Sequence, residues 1–247
     1  MLTRGAALLI ISLTLSAGLM AESIEGTVVV RKRLTRRRVT AAVPIYERGP
    51  AVELDADTET DPIAFERARV AIYVEGQPAK ASADQAAAVM EQLNRRFAPE
   101  TLVIQAGSKV SFPNLDPIFH NVFSLSGVKS FDLGNYPKGD TRVVTFPEPG
   151  IVYVNCHLHS NMTAAIVVTP TRWFTKADRE GHFVLPDVPM GKYTVVAWHK
   201  TAGYFRQQVQ VGAAGNASVE FLIPLDENGH KIEHQELAAG ALETKKR

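Results

Sequence analysis

The sequence predicts an all-β protein made of two small sandwiches. Three observations carry this reading. After residue 22 nearly every segment is either β-branched or alternates in polarity; in Ile151–Cys156, for instance, Val152, Val154 and Cys156 share one face, opposite Ile151, Tyr153 and Asn155. Gly, Pro and Asn recur between these runs as turn signals. After Pro170 the texture changes: Gly181–Pro189 (GHFVLPDVP) leads into Gly191-Lys192-Tyr193 and a strand ending near Trp198, and two alternating strands follow, Phe205–Val211 and Ala217–Ile223.

The composition agrees with a folded chain. In 247 residues, 45% are apolar and 21% charged, which excludes disorder over most of the length and fits one or two domains. Twenty-seven basic against 26 acidic residues leave a net charge of +1, so the overall charge gives no case for nucleic acid. One cysteine, Cys156, rules out an internal disulfide framework, a Cys-rich zinc module and a dithiol redox motif.

Arg4 followed by an uncharged apolar run, Ala6–Met20, and then Ala21-Glu22 has the layout of an export signal. Residues 1–21 are expected to be removed, leaving a soluble, exported (periplasmic) protein that is not membrane-embedded. A retained membrane anchor is the alternative, although the run is shorter than the roughly 20 residues a span needs. Residues 22–169 are expected to form the first domain, with its core at about 92–169 and the segment from Glu22 adding edge strands. Residues 170–225 would form the second sandwich, and 226–247 a loose polar tail.

Gly26–Val30 and Val70–Val74 read as strands. Between them lie a basic block, Arg31–Arg38, and an acidic stretch, Glu53–Asp61, expected to be a solvated loop that partly neutralises itself. Ser82–Phe97 is the one long helical candidate: Ser82 and Gln85 have capping-box spacing, and Val89, Leu93 and Phe97 recur at i, i+4, i+8. Strand pattern returns with Leu102–Ile104, Val110 and Phe112. Thr163–Thr169 reads as a buried strand, so His157–Met162 is a short loop between two strands.

That loop holds the chemistry. Cys156-His157-Leu158-His159-Ser160-Asn161-Met162 offers a thiolate, an imidazole three residues on and a thioether three further on; upstream, His120 offers a second imidazole beside a strand. Two His and one Cys with a weak axial Met are what an electron-transfer copper site requires. Thiolate suits Cu(I), imidazole suits both oxidation states, and a distant thioether tunes the potential. Zinc in the same donors, a Cys–His nucleophile, or a buried free Cys with surface histidines are the competing readings.

His120-Asn121-Val122 and the C-x-x-H-x-x-M loop resemble the cupredoxins, the small blue copper proteins, the loop being similar to the short amicyanin form. Phe97–Pro99, Gly107, Val110, Phe112, Asn114 and Thr145-Phe146-Pro149-Gly150 agree with that likeness, which covers about residues 92–169. The resemblance implies a Greek-key sandwich and one type 1 copper, with His120, Cys156 and His159 equatorial and Met162 axial. It also implies that the Asn121 side chain ties the ligand loops together. His157, next to the cysteine, should point away from the site by strand alternation. The implied function is single-electron transfer, not catalysis, with a redox partner such as a cytochrome or dehydrogenase. A copper carrier or storage protein and a non-catalytic envelope adaptor are the alternatives.

Gly181–Tyr193 resembles carboxypeptidase-regulatory-like (transthyretin-like) modules, which implies structural support or partner contact and no chemistry. His182 and His199 are expected to be structural or exposed. His230 and His234 have i, i+4 spacing in the expected tail.

Overall fold

The computed structural model describes residues 22–35, 61–76, 86–212 and 217–223. The expected export segment, most of the acidic stretch, Ser82 and Gln85, and the tail with His230 and His234 lie outside the described residues. The elements run β1 (Glu22–Val30), α1 (Pro62–Arg67), β2 (Ala71–Val74), β3 (Ala88–Val89), β4 (Glu91–Leu93), β5 (Arg96–Ala98), β6 (Thr101–Gln105), β7 (Lys109–Pro113) and β8 (His120–Ser126). They continue with β9 (Lys129–Tyr136), β10 (Thr141–Thr145), β11 (Gly150–Asn155), β12 (Thr163–Thr169), β13 (Phe174–Lys176), β14 (His182–Val188), β15 (Gly191–His199), β16 (Gly203–Val211) and β17 (Ala217–Ile223). The fold is all-β, as the polarity pattern requires. Among the described residues no helix is long and apolar enough to cross a membrane.

Two sandwiches form. In the first, a five-stranded sheet (β6-β12-β11-β8-β9) packs on a three-stranded one (β10-β7-β3) around Phe97, Phe112, Val122, Phe146, Val152 and Ile166. In the second, β14-β1-β17 packs on β13-β2-β15-β16 around Ile24, Val28, Ile72, Leu185, Val195 and Phe221.

The segment from Glu22 does not supply edge strands to the first sandwich. β1 is the central strand of a sheet in the second, antiparallel to β14 and parallel to β17, with Ile24 opposite Ala217 and Val30 opposite Ile223. Gly26 is needed there, because a Cβ would collide with the Val219 carbonyl and the Phe183 ring. β2 is likewise interior, between β13 and β15, and all four of its residues are buried. Among the described residues the path therefore runs from the second sandwich into the first and back again.

The helix expected over Ser82–Phe97 is also corrected. Its described part forms β3 and the hairpin β4–β5, closed by Asn94 and Arg95 with φ of 54° and 55°. Met90, Gln92 and Phe97 are buried, while Val89 and Leu93 are 45% and 39% exposed. Alternation from Val89 to Leu93 thus prevails over the 3.6-residue spacing that Val89, Leu93 and Phe97 imitate.

The sandwiches meet along β12. Ala164, Ile166 and Val168 face the first core, whereas Ala165 and Val167 pack outward on Ala71, Tyr73, Val196 and Trp198 of the second. Burial on both faces explains why Thr163–Thr169 reads as a continuous apolar run. Below this apolar seam lies a polar knot. Glu66, fully buried on α1, accepts from Leu34 N (3.1 Å), Thr35 N (2.6 Å), Thr35 Oγ1 (3.0 Å) and His199 Nε2 (3.0 Å). α1 is itself capped by Asp61, whose Oδ1 accepts from Ile63 N and Ala64 N, with Pro62 leading its first turn.

Burial alone would raise the Glu66 pKa, but the His199 ring and the Thr35 donors reverse this and hold it at about 2. A carboxyl depressed from 4.5 in this way stabilises the fold at and above pH 4.5 and loses that contribution as the pH falls towards 2. Glu66→Gln should cost about 2–3 kcal/mol at pH 7 in urea unfolding. The gap between wild type and variant should close progressively below about pH 4.5; a gap independent of pH would contradict this assignment.

Candidate metal centre

The site forms at one end of the first sandwich, where β8 begins, β11 ends and β12 begins. Cys156 follows the last residue of β11 and inherits the inward side of Val152 and Val154; it is 5% exposed. The loop after it closes on itself: Met162 N donates to the His159 carbonyl (2.9 Å) and Cys156 N to the Met162 carbonyl (3.2 Å). Asn155 and Thr163, paired across β11 and β12, form the base of this loop.

His120, fully buried at the start of β8, is aimed by Asp116. Asn114 shapes the connection: its Nδ2 donates to the carbonyls of Ile118 (2.8 Å) and Tyr136 (3.0 Å), and its Oδ1 accepts from Asp116 N (3.0 Å). Asp116 then accepts from His120 Nε2 (2.7 Å), Asn94 N (2.6 Å) and Arg95 N (2.8 Å). A carboxylate that already takes two backbone donors accepts a third from the ring, so His120 carries its proton on Nε2 and turns Nδ1 towards the loop. The left-handed conformation of Arg95, costly for a residue with a Cβ, is held by the same contact.

His120, Cys156 and His159 bring one donor atom each to within 4.8 Å of one another. The two Nδ1 atoms lie 3.1 Å apart, and His159 Nδ1 lies 3.6 Å from Cys156 Sγ. Burial would push the thiol pKa up, but His120, His159 and the N–H groups of Asn121 and Leu158 bring it down to about 5. Cys156 is therefore a thiolate at neutral pH. Burial disfavours the charged form of His120, yet the thiolate and Asp116 outweigh it and raise its pKa. A first-row ion with bonds of about 2.0 Å to imidazole and about 2.3 Å to thiolate spaces such donors about 3.1–3.7 Å apart. The 3.1 Å and 3.6 Å separations fall in that range, and the third donor pair lies within 4.8 Å, so the donor set fits a metal ion.

Met162, 1% exposed, packs in the first core at the end of the same loop. Asn121 joins the segments that carry His120 and Cys156: its N–H points at Cys156 Sγ (3.4 Å), its Oδ1 accepts from His157 N (3.4 Å) and its Nδ2 donates to Asp132 (2.7 Å). His157 lies outside the cluster, stacked on Phe123 with ring centroids 3.7 Å apart and 3.6 Å from Asp132 Oδ2. His199 is buried in the polar knot, and His182 is exposed beside Asp178. Sequence reasoning missed Asp116. Its signal was an acid four residues before the histidine, which has no geometric meaning in a loop until Asn114 fixes the turn.

No family model matches the chain, and no curated protein does. Solved structures do. A copper-containing nitrite reductase (NirK) from Thermus scotoductus SA-01 is 23% identical, with a TM-score of 0.34; the match covers 38% of this chain and only 26% of that one. A Cu(I) amicyanin variant (22% identical) and a reduced amicyanin variant (24%) each match 39% of this chain and 97% of theirs, with TM-scores of 0.32. The chain is thus similar, over about two fifths of its length, to proteins described as copper-containing or as amicyanins.

Proposed function

We propose that the chain is an exported electron carrier that holds one copper ion through His120, Cys156 and His159, with Met162 as a weak fourth donor. The observation that carries this reading is the convergence of one thiolate with two imidazole Nδ1 atoms at one end of a sandwich. Zinc prefers four firm donors in a tetrahedron, and a thioether is a poor fourth for it; two imidazoles, a thiolate and a thioether match copper. Copper supplies a one-electron couple there.

The protein's part is to keep its donors still. Asp116 fixes the His120 ring from behind, Asn121 fixes the thiolate and the start of the loop, and the two backbone bonds at Met162 close it. Donors held in one compromise geometry need little rearrangement when the charge at the centre changes. His159 is half-buried, and Leu158 and Phe119, its neighbour and that of His120, are 48% and 56% exposed. Such a rim suits a small, transient contact with a redox protein such as a cytochrome or a dehydrogenase. Export to the periplasm is supported by the segment Ala6–Ala21. The reading assigns no catalytic residue.

Cys156→Ala should abolish reversible one-electron cycling in voltammetry of the copper-loaded protein while the fold persists by circular dichroism. Cycling retained in that variant would overturn the proposal. Tight Cu(I) binding without cycling in the wild type would favour a carrier or storage role instead. Asp116→Asn should weaken metal affinity about 10- to 100-fold in chelator competition, because the ring of His120 loses its fixed acceptor. An unchanged affinity would show that Asp116 serves the hairpin alone.

A further inference from the structure

The second sandwich reaches into the base of the ligand loop. Lys200 lies in the turn between β15 and β16, and its ammonium donates to Thr163 Oγ1 at 2.7 Å. Thr163 follows Met162 and pairs with Asn155, so it is half of the base on which the loop stands. The turn that carries Lys200 is itself fixed. His199 Nδ1 accepts from Thr201 N (3.2 Å) and Ala202 N (3.3 Å), while its Nε2 donates to the buried Glu66. A second bridge runs alongside: Arg69, next to α1, pairs with Glu100, whose carbonyl accepts from Ala165 N (3.0 Å) on β12.

We infer that Lys200 is a positioning residue, through which the second sandwich clamps the Asn155–Thr163 base and so holds Cys156, His159 and Met162 in register. The inference rests on the metal-site reading above, since it names the purpose of the clamp. Its energetics differ from those of a fold-stabilising lysine. Burial and the nearby Arg69 guanidinium push the Lys200 pKa down to about 8, and the partner is a neutral hydroxyl, which compensates a buried cation poorly. Replacing Lys200 by an apolar side chain of similar length should therefore leave global stability intact while freeing the loop.

The test uses the full chain without metal. Amide hydrogen exchange at Cys156 and Met162, whose N–H groups close the loop, should accelerate about five- to tenfold in Lys200→Met. Thr163→Val, which removes the acceptor from the other side, should do the same. The double variant should add nothing, Lys200→Arg should restore slow exchange, and the thermal midpoint should stay at the wild-type value. Unchanged loop exchange in both single variants would overturn the inference. So would Lys200→Met exchange that is faster throughout the first sandwich together with a lower midpoint, because that marks a general structural role. When loaded with Cu(II), Lys200→Met should also show a shifted visible band that Lys200→Arg restores. Failure of the wild type to take up copper would defeat the functional reading and leave the exchange comparison to decide the clamp.

Discussion

Asp116, itself buried, sits at one end of the first sandwich and accepts hydrogen bonds from His120 and from the backbone of Asn94 and Arg95, some twenty residues away. Removing it would leave two backbone N–H groups and a ring N–H without acceptors, each costing about 1–3 kcal/mol when buried. One carboxylate thus holds the β4–β5 turn, fixes the orientation of the His120 ring and leaves Nδ1 facing the thiolate. With that ring in place, the Cys156 thiol finds two imidazoles and two backbone donors and is held as a thiolate. The remaining features of the centre, the closed loop and the Asn121 tie, then have a fixed target to close around.

The second layer of organisation is the discontinuous second sandwich. Because β1 and β2 belong with the C-terminal strands, the first sandwich is inserted into the second rather than joined to its end. An inserted unit is tethered at both of its ends, and β12 is packed on both faces. The polar knot around Glu66 and His199 sits between the early and late parts of the second sandwich and stiffens the turn that faces the ligand loop. Rigidity at the centre is thus supplied from two directions.

Much of this was legible in the sequence where the controlling contacts are local. Ala217–Ile223 is a strand with the bounds that alternation implies, and Thr163–Thr169 one with the bounds of its continuous apolar run. The inward face of Val152, Val154 and Cys156 follows from period two alone. That Cys156, His159 and Met162 share one short loop was visible because all three lie within seven positions. The partnership of β1 with β17 was not, since nearly two hundred residues separate the strands and a short β-branched run pairs equally well in either sheet. The stretch before Phe97 misled because Val89, Leu93 and Phe97 fit a helical face, while the left-handed pair Asn94-Arg95 depends on Asp116, a contact no local pattern reveals. Lys200 likewise meets Thr163 only through the packing of the two sandwiches.

The central claim is that the Cys156 thiolate and the two imidazoles bind copper together. Titrating the metal-free protein with Cu(II) while recording visible absorption and electron paramagnetic resonance tests it most directly. The account predicts an intense thiolate-to-copper charge-transfer band that saturates at one equivalent and bleaches with a mild reductant. A protein that takes up Cu(II) without that band, or takes up none, would contradict it.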